Sequence, residues 1–405
     1  MARQGTGRRF RLLYGIAATG AFLFALPVAA WAITAAQCTG GGGFVSINVC
    51  VGGAFSGQTI TGGSNSSLDD RTMSRSEQTA DDESEAEDKA SEDADKDPWI
   101  GFTSIRDKGS SLSSASGAVT GTNFSSHTSE VSAGADMAFN QSKAFNLAAD
   151  QRLVLGVSFR YDSLHSTYNA SAAVPGIGTA GTMAENLYNF SGTAAYRAGN
   201  LYFGEILRGA FGNGSLNNNL AGSTGRFDVS QFSSDSFVGK VFTLFDSRTT
   251  RNPALPTKAP PKPIDGYAVQ LDLRAHLIYG NSWDGGFTDT TGFVSGAEQY
   301  HSWTAGGVAQ LSAIIPKGDL TWTPFVAATF DQQFGYSDSL GIPNQPGQTA
   351  DTINFGGPQT FLGVRAGVDV RQVPGWDLGV QGFYKESSEF RIAGGLAFLR
   401  YYVNP

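Results

Sequence analysis

The sequence predicts an all-β chain, a transmembrane antiparallel β-barrel of about twelve strands with a disordered or partly helical N-terminal region. Three observations carry this. The first is the stretch Tyr267 to Tyr279. Tyr267, Val269, Leu271, Leu273, Ala275, Leu277 and Tyr279 form one alternating set, and Ala268, Gln270, Asp272, Arg274, His276 and Ile278 form the other. A strand sends successive side chains to opposite faces, so one face is apolar throughout and the other mostly polar. At about 3.3 Å per residue and a tilt of about 40°, the two tyrosine rings stand roughly 30 Å apart along a membrane normal, close to the separation of bilayer interfaces. The second observation is that such segments recur. The third is composition: glycine is abundant (52 residues), only 16 % of residues are charged, and no helix-length apolar run follows the N-terminus.

Taken in order, residues 1–32 have the form of a secretory signal. Arg3, Arg8, Arg9 and Arg11 precede an apolar stretch from Leu12 to Val28, and Ala30-Trp31-Ala32 is a small-x-small cleavage triplet. A retained anchor is the rival, against which Pro27 argues. Residues 33–68 are rich in Gly, Ser, Thr and Asn and hold too little apolar material for a core. They contain the two cysteines, Cys38 and Cys50. Export would let these pair and close a small loop worth up to about 3 kcal/mol. A metal pair lacks a nearby third ligand.

Residues 69–97 carry thirteen Asp/Glu against four Lys/Arg, which accounts for the chain's net charge of −8 and leaves the remainder close to neutral. Like charges at this density favour a solvated linker. Ala80 to Asp95 is rich in Ala, Glu and Lys, so a helix is open to it, and the segment is a candidate plug for a barrel interior.

From residue 98 to 405 the sequence reads as barrel. Apolar faces recur over Thr128–Phe139, Arg152–Asp162, Asn186–Arg197, Trp303–Ala313, Leu320–Phe330, Phe361–Arg371 and Trp376–Tyr384, with aromatics repeatedly at their ends. Leu201–Phe211 is interrupted by Glu205, which predicts a bulge or register change. Asp235–Phe245 and Phe390–Tyr402 are apolar on both faces in places. A strand from Trp99 brings the count to an even twelve, the norm for bacterial barrels. Short turns are expected at Ala198-Gly199-Asn200, Pro316-Lys317-Gly318-Asp319 and Val373-Pro374-Gly375. Long polar connections are expected over 164–185, 212–234, 280–298 and 332–359. The proline-rich stretch 247–265 is long for the short-turn end.

The polar faces hold the candidate functional residues. Arg152, Arg160, Arg197, Asp272, Arg274, His276, Arg365, Asp369, Arg371 and Lys385 are expected to line the interior. Asp272 and His276 are an acid–base pair in kind. At strand positions i and i+4, however, they stand roughly 13 Å apart, so each needs a partner from another strand. No spacing singles out a catalytic group. No catalytic residue, metal site or cofactor is expected, and the chain is read as a non-enzyme.

Several pieces, in order, resemble the translocator β-barrel of type V autotransporters. They are Trp99-Ile-Gly-Phe, Gly134-Ala135-Asp136, Trp322-Thr-Pro-Phe325-Val, Phe361-Leu-Gly-Val-Arg-Ala-Gly-Val-Asp-Val and Gly394-Gly-Leu-Ala-Phe-Leu-Arg-Tyr-Tyr. The chain departs from the family in ending Val403-Asn404-Pro405 rather than on an aromatic, and in having only about 65 residues between signal and barrel. The resemblance implies insertion in the outer membrane of a Gram-negative bacterium, with the help of barrel-assembly machinery and periplasmic chaperones. It also implies display or secretion of the chain's own short N-terminal segment, which would be periplasmic, in the pore or at the cell surface. A porin-like channel for small solutes and an outer-membrane hydrolase are the alternatives. Outer-membrane lipid is the expected partner of a monomer, and no nucleic acid is expected.

Overall fold

The computed structural model describes the strands between Trp99 and Val403 and the shorter connections among them. Residues 1–98, 113–123, 169–180, 219–222, 249–265, 342–351, 354–359, 373–375 and 404–405 lie outside the described residues, as do a few positions in 141–149, 289–296 and 388–389. The signal, the Cys38/Cys50 pair, the acidic segment, the proline-rich connection and the Val373-Pro374-Gly375 turn therefore fall outside them.

Among the described residues there are twelve long strands: β1 (Trp99–Leu112), β2 (Phe124–Asn140), β3 (Gln151–Tyr168), β4 (Gly181–Ala198), β5 (Leu201–Asn218), β6 (Ser223–Asp246), β7 (Ala268–Asp284), β8 (Glu298–Lys317), β9 (Leu320–Gly341), β10 (Thr360–Gln372), β11 (Trp376–Glu386) and β12 (Phe390–Val403). Each pairs antiparallel with its sequence neighbours. The last also pairs with the first, Trp99 standing opposite Val403 and Leu112 opposite Phe390, so the sheet closes on itself. Closure removes the unpaired edges that an open sheet would expose to lipid.

The alternation read from Tyr267 onward is the pattern of β7. Ala268, Gln270, Asp272, Arg274, His276 and Ile278 are buried, while Leu273, Ala275 and Leu277 are exposed. The exposed apolar residues of the other strands continue this outer face. Val131, Val157, Phe190, Phe203, Leu311, Val326, Leu362 and Val380 all lie on it. Aromatic pairs rim both ends of β7: Phe245 and Tyr267 lie 5.1 Å apart at one, Tyr279 and Trp303 4.8 Å apart at the other.

The hairpins at Gly199-Asn200 and Gly318-Asp319 are as short as expected. Each opens on a glycine in the left-handed region (φ 57° and 65°), which other residues rarely adopt and which two-residue hairpins require. Trp99 and Val403 lie at this same end, here termed the turn end, where the β6–β7 connection over residues 247–267 is the long exception expected from the sequence; the opposite end, with the connections from β3 to β4, β7 to β8 and β9 to β10, is termed the loop end.

Two expectations fail. The stretch 212–234 is almost entirely strand, because β5 continues to Asn218 and β6 begins at Ser223. Beyond the bilayer neither face needs to be apolar, so the extended pairing leaves no alternation to read. β5 also carries no bulge at Glu205, since its register is continuous with both neighbours. Glu205 lies on the outer face with Leu201, Phe203 and Leu207, and accepts hydrogen bonds from the hydroxyls of Ser234 and Ser236 on β6. The register shifts occur instead at Thr243/Phe245 and at His301/Trp303.

Candidate functional site

The candidate site is the barrel's inner face, where most ionisable groups of the described residues converge. Arg152, Arg160, Asp272, Arg274, His276 and Arg365 are buried there. Arg197, Asp369, Arg371 and Lys385 are half-buried on the same alternation. Burying a charge is costly unless it is paired and hydrogen-bonded, so the partners decide what this face can do.

On β2–β4 the centre is Arg160. Its guanidinium donates to Asp162 at 2.7 Å and lies 3.6 Å from Glu130, while Asn189 on β4 donates to the same Asp162 at 3.0 Å. Arg197 turns towards the turn end and donates to the Gly199 carbonyl of its own hairpin at 2.6 Å.

On β5–β11 side chains reach across an intervening strand. The Tyr202 hydroxyl, on β5, lies 2.8 and 2.9 Å from the two carboxylate oxygens of Asp272 on β7. Between them is Gly239 of β6, where a Cβ would come within 2.3 Å of the Tyr202 ring and hydroxyl. His276 Nε2 lies 2.9 Å from Asp331 Oδ1, from β7 to β9. Gly306 of β8 clears that path, since a Cβ there would come within 2.2 Å of the Asp331 carboxylate and 2.5 Å of the imidazole. Lys385 of β11 donates to the other oxygen of Asp331. Arg365 of β10 donates to Gln310 of β8 at 2.9 Å, and Arg400 of β12 to Asp377 of β11 at 2.6 Å.

Asp272 and His276, too far apart on one strand to pair with each other, are each bonded from a different strand. Asp272 bonds to Tyr202 and His276 to Asp331, 55 residues away in sequence. Asp331, Tyr202 and Gln310 are among the site residues that the sequence reading missed, as are Asn189, Arg208, Asp235 and Arg400. Asp331 falls one residue beyond the apolar segment ending at Phe330. The alternation continuing through Gln333 to exposed Phe334 is the signal that would have included it. Tyr202 carries no such signal, because it belongs to an apolar cluster on the inner face with Ala195, Ile206, Phe237 and Val241.

Chemically the arrangement is a lining of ion pairs. His276 with Asp331 has the orientation of a carboxylate-held imidazole, and among the described residues no hydroxyl or thiol hydrogen-bonds to His276.

No family model matches the sequence, and no curated protein matches it. Solved structures do resemble the barrel. The transport unit of the autotransporter AIDA-I from Escherichia coli superposes with a TM-score of 0.54 at 10 % identity, covering 77 % of this chain and 92 % of that one. The β domain of the Bordetella autotransporter BrkA (TM-score 0.49, 17 % identity, 76 % and 99 % coverage) and the translocator domain of the autotransporter NalP from Neisseria meningitidis (0.48, 12 %, 82 % and 97 %) are further similar structures. The fold assignment rests on the first of these together with the strand pairing described above. On that basis residues 99–403 have a closed antiparallel β-barrel fold similar to that of the AIDA-I transport unit.

Proposed function

We propose that the chain inserts in the outer membrane of a Gram-negative bacterium and displays or secretes its own short N-terminal segment. One observation carries this reading: the first strand enters the closed barrel at the turn end, beside the last. In bacterial barrels the short turns face the periplasm. The residues preceding Trp99 therefore start from the periplasmic mouth, and reaching the cell surface requires them to pass through the barrel. Little apolar material and strong charge suit such passage, because a composition of this kind buries too little apolar surface to favour a packed core.

Barrel-assembly machinery and periplasmic chaperones are the partners this reading calls for, with lipid around a single barrel. An epitope inserted after Cys50 tests it. Antibody binding to intact cells is the expected outcome; binding only after the outer membrane is permeabilised would sink display and leave a porin-like channel as the better reading.

A further inference from the structure

We propose that His127 and His165 form a two-imidazole site for a borderline transition-metal dication, of the Cu(II), Ni(II) or Zn(II) class, on the outer face of the barrel near its loop end. The two residues stand directly opposite each other in the β2–β3 register. Both are exposed, on the alternation that carries Val131 on β2 and Val157 and Phe159 on β3, so both imidazoles leave the same face. Residues opposed in an antiparallel pair have Cβ atoms about 4.5–5.5 Å apart. Two rings rooted at that separation can converge on one ion at metal–nitrogen distances of about 2.0–2.1 Å.

The surroundings suit a ligand. The lateral neighbours in register are Gly109 on β1 and Ala184 on β4, so no bulky side chain flanks the pair on either adjoining strand. The hydroxyl of Ser129 lies 3.4 Å from His127 Nε2, close enough for an outer partner that holds a ring's orientation. The pair lies four residues beyond the row of Val131 and Tyr161, and Tyr161 meets Tyr188 at 5.4 Å in the aromatic girdle. At strand rise and tilt this places it roughly 10 Å outside the girdle, where water can complete the coordination.

The donor set determines which ion fits. Glu130 and Asp162, the nearest acids on β2 and β3, are buried on the opposite face, so these two strands supply imidazole nitrogens rather than carboxylates to the site. Nitrogen-only sites favour Cu(II), Ni(II) and Zn(II) over Mg(II) and Ca(II), with Cu(II) the tightest.

The test uses the full chain, folded in detergent and checked by heat-modifiable gel mobility. It is titrated with ZnCl2 and NiCl2 by calorimetry, and with CuCl2 under electron paramagnetic resonance. The expected result is a site absent from His127→Ala and from His165→Ala, each at least tenfold weaker, with loss of nitrogen coupling in the Cu(II) spectrum. His301→Ala leaves the site unchanged, and millimolar Mg(II) does not compete. His127→Gln, which keeps size and polarity, guards against a folding artefact and is expected to weaken binding equally. Identical binding by the wild type and the His127→Ala/His165→Ala double variant would overturn the proposal, and so would absence of any Cu(II) nitrogen coupling in the wild type.

Discussion

Two parts of the barrel's inner wall are made of different material. On β4–β6 the stretch next to the turn end is apolar, where Ala195, Tyr202, Ile206, Phe237 and Val241 pack together, with Glu185, Arg208 and Asp235 buried further along. From β7 to β11 it is polar, with Asp272, Arg274, His276, Asp331, Arg365 and Lys385 in mutual reach. The outer faces of both parts expose apolar side chains, Phe203, Leu207 and Phe242 on one and Leu273, Leu277 and Leu311 on the other. The contrast shows that lipid imposes one rule on the outside of every strand, whereas each stretch of the inner face is governed by whatever side chains stand across from it. Tyr202 is the seam: its ring belongs to the apolar cluster and its hydroxyl bonds to Asp272 of the polar one.

Substitutions can break this contrast in descending order of effect. The largest is expected for Asp331→Ala. It strips His276 and Lys385 of their shared carboxylate, and breaking a buried pair on one side costs about 3–5 kcal/mol. A urea midpoint within error of wild type, read by tryptophan fluorescence on the folded protein, would show the polar wall to be hydrated rather than packed.

Tyr202→Phe cuts the seam alone. The ring remains in the apolar cluster, but Asp272 loses a hydrogen bond worth about 1.5–3 kcal/mol for a charged acceptor. The same unfolding measurement should place it below Asp331→Ala. An equal or larger loss would mean that the hydroxyl, not the ring, joins the two walls.

The smallest effect carries the opposite sign. Glu205 is a carboxylate on the lipid side, held only by the hydroxyls of two serines. Charged residues on this face destabilise a barrel by a depth-dependent amount, less for acids than for the roughly 2–4 kcal/mol of Arg or Lys at the midplane. Glu205→Leu should therefore raise stability in lipid vesicles by about 1 kcal/mol. A fall in stability would show that outer and inner carboxylates obey the same rule after all.

Legibility in the sequence follows the same division. The strand containing His276 was readable because Val269, Leu271, Leu273 and Leu277 answer to lipid, a uniform environment that needs no knowledge of neighbours. Glu205 kept its place in the alternation, and the error was to take a polar residue on an apolar face for a break in the strand. Ser234 and Ser236, which receive it, lie on the next strand and only the register reveals them. The region around Arg226 and Asp228 read as loop because, beyond the bilayer, strand pairing continues without an apolar face to mark it. Phe237 and Val241 read as apolar on both faces, which is correct, but what they pack against was not readable.

The sequence by itself determined the barrel class and which face of most strands is apolar. Those are one-body properties, each residue answering to a bulk medium. Only the tertiary structure decided who pairs with whom: Tyr202 with Asp272, His276 with Asp331, His127 across from His165. These are two-body properties between residues up to 70 apart in sequence, set by the register of neighbouring strands and, for the first two, by glycines that clear a path between them.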